Sequence, residues 1–367
     1  MKISLLDPGL VLLGGHHFDL DLRLGRELAR RGHDVVVHGF ADLNPELRTA
    51  AEASGMEIHP TFRVPTYGAM PPAGSAIDAH RAMEQATAED LAGVPPTDLW
   101  IWPTLAPYQF AAAAMQTHSV PQIGGSWWLP RFPHPIGAHR WAHAARLVAK
   151  ARRPITVGAY DELLCRAYAG FSPGLDVVRL PCPHDGAPNP HRPAALRRIG
   201  FLGHHRAGRG IDLVPQLVAA LLERGFEVVV QDSGRTLQRQ GDNPRLEVLP
   251  FVKNFAAEIA GCDLVIWPSQ WEAYLQQYSG VVSECIATGV PVIVPSGCMP
   301  AEVLARFKCG NFFHYHSRDA VLEAVDDAAD NFPAVVARAR AAAKAWHSEN
   351  GTARLAEWIE SHSGGAS

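Results

Sequence analysis

Short apolar runs and amphipathic stretches alternate along the chain in a layout that occurs twice. ISLLD, beginning at Ile3, is followed by DLRLGRELARRG and then DVVVHGF; IGFLG, beginning at Ile199, is followed by IDLVPQLVAALLERG and then EVVVQD. Continuous apolar runs of this length read as strands buried on both faces, and the stretches between them carry a helical period. Each triplet predicts a βαβ unit, and its repetition about 200 residues apart predicts two parallel-sheet domains of similar build. In the first helix Leu20, Leu24 and Leu28 form one buried stripe, while Arg23, Arg26, Glu27 and Arg30 fall elsewhere. Gly32 and Gly225 supply the left-handed residue that commonly ends a helix. Asp19 and Asp21, an Asp-x-Asp within the first helix, read as part of its solvated face.

A chain of 367 residues exceeds the size at which single cores stop growing, in keeping with two domains. Residues 181–193 hold five prolines and no hydrophobic periodicity, so the boundary is placed there. The expected division is a first domain over 1–180, the linker, a second domain over 194–345, and a C-terminal segment over 346–367. Leu355, Trp358 and Ile359 share one face of its helix, which can pack back on the first domain.

Composition narrows the function. With 47% hydrophobic and 19% charged residues the chain is an ordinary globular protein, and a net charge of -4 argues against bulk nucleic-acid binding. The six cysteines lack paired spacing, so they read as buried thiols in a reducing compartment. Asp7 and Pro8 interrupt the apolar N-terminus, which reads as a first strand, and no run of 18 uncharged apolar residues predicts a spanning helix. Residues 131–153 carry six Arg or Lys, three histidines and no acid. They read either as a strip for anionic lipid or a phosphorylated acceptor, or as a solvated or cleft-facing helix.

The segment from Cys262 to Val303 carries the strongest chemical signal. It reads as a buried strand (LVIWP), a loop, a helix opening at Ser279 and Gly280, and a second buried strand (VIVP) after Gly289 and Pro291. A helix N-terminus offers unpaired N–H groups and partial positive charge, so a diphosphate suits Ser279, Gly280 and Val281. Glu284, a turn further in, can accept both hydrogen bonds of a ribose diol; as a plain alternative it is a residue near the helix dipole.

This segment resembles the donor-binding motif of retaining family 4 glycosyltransferases, with Pro268, Ser269 and Glu272 at its opening and Glu284, Gly289, Pro291 and Val292 at its close. In that family seven residues separate a sugar-contacting glutamate from the ribose-binding one. Here eleven lie between Glu272 and Glu284, and Gln276 holds the seven-residue position. The sugar contact is therefore Glu272 on a lengthened loop, or Gln276 in its place, and only Glu272 brings negative charge opposite a developing oxocarbenium ion. The stretch 199–214 resembles the family's Gly-Arg-x-x-x-x-Lys-Gly, with Gly203 and Gly210 aligned, His204 at the arginine position and Arg209 at the lysine position. The resemblance assigns that basic pair to the leaving diphosphate.

Residues 12–40 resemble the family's N-terminal Gly-Gly loop, helix and Gly-His-x-Val strand, so Gly14 and Gly15 would approach the donor phosphates. His16 and His17 are acceptor-side candidates or an idle surface pair. Trp127 or Trp128 falls where the family carries a histidine, with His134 and His139 as stand-ins; the tryptophans read as an acceptor-stacking surface or as buried aromatics. Residues 245–254 resemble the stretch whose backbone, near Phe251 and Val252, meets the nucleotide base.

The resemblance implies an α/β GT-B architecture, two Rossmann-like domains facing across a cleft, and a cytoplasmic hexosyltransferase-type enzyme, at most peripheral at the inner membrane face through 131–153. It would move a sugar from a nucleotide-sugar donor to a glycan, lipid-linked sugar or small molecule, with retention and without metal or cofactor beyond that co-substrate. The catalytic candidates are Arg209, Glu272 and Gln276. The rival readings are a catalytically inactive nucleotide-sugar-binding partner of another transferase and a sugar-nucleotide epimerase. A nicotinamide dehydrogenase is disfavoured because no turn completes Gly-x-Gly-x-x-Gly.

Overall fold

A computed structural model describes residues 1–11, 16–66, 74–116, 126–130, 138–150, 155–188, 194–203, 205, 208–232, 243–250, 252 and 254–363, with the backbone alone at 16, 126–130 and 138. The chain divides into two compact units: Met1–Pro183 together with Thr352–Ser367, and His184–Gly351.

The first unit runs β1 (Lys2–Asp7), α1 (His16–Arg30), β2 (Asp34–Phe40), α2 (Pro45–Ala53), β3 (Ile58–Phe62), α3 (Ala76–Ala92), β4 (Leu99–Leu105), α4 (Pro107–Met115), β5 (Ser126–Pro130), α5 (Ala138–Lys150), β6 (Ile155–Ala159), α6 (Glu162–Ala169) and β7 (Asp176–Arg179). Its seven strands lie in the order β3-β2-β1-β4-β5-β6-β7, every neighbouring pair parallel. All seven residues of β4 are buried, as a strand covered by helices on both faces requires.

The second unit runs β8 (Arg198–Phe201), α7 (Val214–Glu223), β9 (Glu227–Gln231), β10 (Leu246–Leu249), α8 (Phe255–Ala260), β11 (Leu264–Ile266), α9 (Gly280–Thr288), β12 (Val292–Pro295), α10 (Met299–Arg306), β13 (Asn311–Phe313), α11 (Arg318–Asp330) and α12 (Phe332–Glu349). Its sheet is parallel with order β10-β9-β8-β11-β12-β13, and Ile199, Phe201, Val228, Leu264, Ile266 and Ile293 join Leu217, Val218 and Leu221 of α7 in its core. The last helix, α13 (Thr352–Ser363), belongs to the first unit.

The predicted stripe of α1 is realised: Leu20, Leu24 and Leu28 are buried against Ile3, Leu5, and Leu355 and Ile359 of α13. Polar groups fasten the same pair of helices. Arg31 bonds Glu27 at 2.7 Å and reaches Glu360 of α13 at 2.9 Å, and His33 meets Glu360 at 2.8 Å.

Asp21 corrects the sequence reading. It is fully buried, not solvated. At 3.6 residues per turn, position 21 falls on the same side as 17, 24 and 28, so the carboxyl lies on the core face. Asp19 does face solvent, in an i,i+4 pair with Arg23 at 2.7 Å.

In the described part of the stretch read as a linker, Cys182, Pro183 and Gly186 are buried while Asp185, Ala187 and Pro188 are exposed, and the chain passes from the first unit to the second between Pro183 and His184. At the other crossing α12 continues through residue 345, and the change of unit falls after Gly351. The six cysteines are free thiols, five of them buried. Burial pushes Cys298 up to about 11 and Cys309 up to about 12, so these thiols stay protonated and unreactive.

Candidate functional site

In an open parallel sheet, ligands bind outside the carboxyl ends of the strands where the strand order reverses. In the second unit that point lies between β8 and β11, because β9 and β10 extend to one side of β8 while β12 and β13 extend to the other. The loops leaving β8 and β11 carry most of the sequence candidates of this half, while Phe251 and Val252 follow β10 in the chain.

The loops are fitted to each other. Gly203 has φ of 106° and donates its N–H to Gln231 Oε1 at 2.9 Å; a Cβ there would lie 2.9 Å from Val281 Cγ2 in the first turn of α9. Gly210, with φ of 77°, approaches Pro268 so closely that a Cβ would sit 2.2 Å from its carbonyl oxygen. Glycine is thus required twice, for its left-handed backbone and for lack of a side chain. Between them, Gly208 accepts a hydrogen bond from the Gln270 N–H at 3.1 Å. The Arg209 guanidinium lies 5.7 Å from the centre of the Tyr274 ring, and that ring is buried edge-on against Trp267. A flat cation on an aromatic face is the arrangement cation–π attraction favours.

Ser279 caps α9, its Oγ accepting from the Val282 N–H at 3.4 Å. The N–H groups of Gly280 and Val281 belong to the first turn and have no acceptor within the helix. Glu284 falls on their side by the i,i+3 and i,i+4 spacing and is 6% exposed. Its Oε2 lies 2.6 Å from His184 Nδ1. Glu272, in the 3-10 turn Trp271–Tyr274, and Gln276 just after it are both exposed. They are flanked by Trp271 and Leu275, 41% and 48% exposed. Only a shallow surface dimple, too tight to hold a water molecule, lies at Tyr278, Ser279, Val282, Met299 and Val303, so it does not by itself mark a nucleotide site.

In the first unit the order reverses between β1 and β4, and β1 ends on Asp7. Asp7 Oδ1 accepts from the Gly9 N–H at 2.7 Å, and Oδ2 lies 2.6 Å from Nδ1 of His17, which is 7% exposed. His17 is therefore not a surface residue; its place is set by a carboxylate at the end of the central strand. Asp21 completes this cluster. Burial, and then the neighbouring charge of Asp7, hold its carboxyl well above the usual range.

The structure thus brings Arg209, Ser279, Gly280, Val281 and Glu284 to one end of the second sheet, with Val252 half-buried after β10. Gly14, Gly15, His134, His204 and Phe251 lie outside the described residues, as do 131–137 and 151–153 of the basic stretch. His16 opens α1, and the backbone of Trp127 and Trp128 lies in β5 opposite Ile101 and Trp102 of β4. The described part of the basic stretch is α5, which buries Trp141 and Val148 and exposes His139. Sequence reasoning missed His184, Tyr274 and Trp271. His184 stands 100 residues from its partner, inside a proline-rich stretch with no local signal for a buried pair.

Among the described residues, no group of His, Cys, Asp and Glu is arranged to hold a metal ion, and no helix is long and apolar enough to cross a membrane.

Residues 197–331 match the family model described as glycosyl transferases group 1, so the second unit carries a glycosyl transferases group 1 domain. No curated protein sequence matches the chain. Among solved structures, 98% of the chain is similar to 98% of HepE of Anabaena in complex with UDP-glucose, at 14% identity and a TM-score of 0.67. For sucrose-phosphate synthase of Thermosynechococcus elongatus the coverage is 98% and 97%, with 12% identity and a TM-score of 0.67. For the glycosyltransferase SnogD of Streptomyces nogalater it is 99% of both chains, with 19% identity and a TM-score of 0.61. The fold is the α/β fold of GT-B glycosyltransferases, built from two Rossmann-like parallel sheets.

Proposed function

We propose that the chain is a nucleotide-sugar-dependent glycosyltransferase whose second unit holds the donor. One observation carries this reading: the loops after β8 and β11 interlock at the strand-order reversal and set Arg209, the N-terminus of α9 and Glu284 at the same end of the sheet. Breaking the bond between the sugar and the diphosphate leaves negative charge on the departing oxygens. A fixed guanidinium and oriented backbone N–H groups stabilise such charge without reorganising.

In this reading Gly280 and Val281 N–H groups, with Ser279, receive the diphosphate, and Arg209 neutralises it. Glu284 accepts the ribose hydroxyls, and Glu272 or Gln276 orients the sugar. Val252 is a candidate for the base, and Gly14, Gly15, His204 and Phe251, outside the described residues, keep the phosphate-side and base-side roles that the family resemblance gives them. His16, Trp127 and Trp128 serve the acceptor side. The family likeness of residues 197–331 supports transfer with retention, and HepE, solved with UDP-glucose, makes a UDP-hexose the first donor to test. The charge supplied by Arg209 and α9 removes the need for a divalent ion at the diphosphate.

The test incubates the purified protein with UDP-glucose, UDP-galactose, GDP-mannose and ADP-glucose and follows release of nucleoside diphosphate. Release from one donor, lost in a Glu284→Ala variant that keeps the wild-type melting temperature, is the expected result. Binding of a nucleotide sugar without release, with or without added acceptors, identifies a non-catalytic partner instead. Absence of any binding defeats the reading. The anomeric configuration of the product, read by NMR, decides between retention and inversion.

A further inference from the structure

Glu284, the carboxylate assigned to the ribose, is held by a short piece of chain from the start of the second unit. His184 Nδ1 lies 2.6 Å from Oε2, and the two side chains are 19% and 8% exposed. A carboxylate only accepts, so the imidazole donates through Nδ1 and its tautomer is set by that bond. Oε1 faces Gly186, where a Cβ would sit 2.2 Å from it and 2.5 Å from Thr288 Cγ2. Oε2 thus meets the His184 side chain and Oε1 the Gly186 backbone, two residues on in the chain.

The histidine is itself fixed. Its ring stacks on Tyr278 with centroids 6.1 Å apart and planes at 27°. Its Cε1 and Nε2 lie 3.4 and 3.6 Å from where a Cβ on Gly280 would stand, so the ring fills the space beside the first residue of α9. Its carbonyl oxygen accepts from Trp346 Nε1 at 3.0 Å. Three separate contacts thus aim one imidazole at one carboxylate. For stability alone, a well-packed apolar pair in this place would serve as well or better. A glutamate that must meet a diol gains more, because a side chain with three rotatable bonds otherwise loses that freedom when ligand binds.

We infer that His184 is a positioning residue for the donor's ribose: it holds Glu284 in the orientation that receives the two hydroxyls before the nucleotide arrives. This rests on the transferase reading and adds to it a residue outside the matched segment 197–331, on the stretch that joins the two units.

The experiment measures binding of UDP, GDP and ADP to the wild-type protein, then repeats it for the tightest of the three and its 2′,3′-dideoxy counterpart with His184→Ala, His184→Asn and His184→Gln. The Asn amide nitrogen stands where Nδ1 stood, so this variant keeps the donor to Glu284, while Gln carries its amide one atom further. His184→Ala is expected to weaken the ribonucleotide by about tenfold, the order of one hydrogen bond to a charged group. The same variant leaves the dideoxynucleotide within about twofold of wild type, and His184→Asn recovers most of the ribonucleotide affinity. In donor hydrolysis KM rises while kcat holds. Equal losses on both nucleotides would show that His184 only supports the fold of α9 and would overturn the inference, as would no loss on either. If His184→Ala does not fold, Asn and Gln decide: ribonucleotide affinity kept by Asn and lost by Gln upholds it, and equal affinity of the two overturns it. Failure of all three diphosphates to bind the wild-type protein removes the transferase reading and this inference together.

Discussion

The guanidinium of Arg209 rests on the ring of Tyr274, 5.7 Å from its centre, and so ties the turn after β8 to the turn after β11. The ring leaves the charge in place and restricts the side chain, which suits a group that must stay aimed at a departing diphosphate. Arg209→Ala is expected to lower kcat for donor turnover by about 100-fold to 1,000-fold, the loss seen when one preorganised charge-stabilising donor is removed. Arg209→Lys keeps the charge without the flat stacking surface and falls between the two. Melting temperatures near that of the wild type in both variants, with the ordering wild type, Lys, Ala in kcat, make the check.

Gly210 tests whether the interlock of these loops matters. A Cβ at this residue meets the Pro268 carbonyl oxygen and forces a left-handed backbone on an L side chain, and neither strain can be relieved by rotating a side chain. Gly210→Ala is expected to cost on the order of 2 kcal/mol, a melting-temperature drop of several degrees, and to raise donor KM. A drop in melting temperature with unchanged KM would separate the loop from donor binding.

Much of the fold was legible in the sequence because the signals are local. The apolar runs, the Leu20, Leu24 and Leu28 stripe, the helix start at Ser279 and the left-handed Gly32 and Gly225 each report on neighbours within a turn or two. Strand order was not legible, since parallel strands read alike whichever neighbour they choose, and so the reversal points became visible only in the sheets. The pairs that organise the two units were hidden for the same reason. His184 meets a carboxylate 100 residues away, and Asp21, a charged residue that reads as surface, is buried because the helix turns it toward Asp7.

Asp21 gives a stability test with a definite sign. Burial, and next the charge of Asp7, raise its folded-state value above the unfolded one, near 3.8. Folding then requires a proton to be taken up, so this group costs stability increasingly as pH rises above about 4, by up to about 1.4 kcal/mol per pH unit until the folded-state value is reached. Asp21→Asn removes the dependence. Its melting temperature should match the wild type near pH 4 and exceed it as pH rises above that, and a gap that is constant with pH would contradict the assignment.

Glu27 runs the opposite way. The hydrogen bond from Arg30, aided by Arg31 and opposed by burial, lowers its carboxyl to about 2. A depressed carboxylate contributes stability that is complete above the unfolded value near 4.5 and is lost as pH falls toward 2. Arg30 is largely exposed, so water screens the pair and the contribution is small. Urea denaturation of Glu27→Gln and wild type should differ at pH 7 and converge between pH 4.5 and 2.

Glu272 and Gln276 remain to be ordered by chemistry. Both are exposed, Glu272 next to Trp271 on the turn that buries Tyr274 under Arg209 and Gln276 next to Leu275 just after it. Either can accept hydrogen bonds from sugar hydroxyls, but only Glu272 carries a negative charge, which the proposed function sets opposite the carbon that becomes positive as the diphosphate leaves. Glu272→Gln preserves shape and removes the charge, so it is expected to lower kcat by about 10-fold to 100-fold at nearly constant donor KM, the pattern of an interaction made in the transition state. Gln276→Ala, which removes a ground-state contact, should raise KM with kcat held. Steady-state kinetics on the two variants with one donor separate the roles, and the reverse pattern would transfer the sugar contact to Gln276.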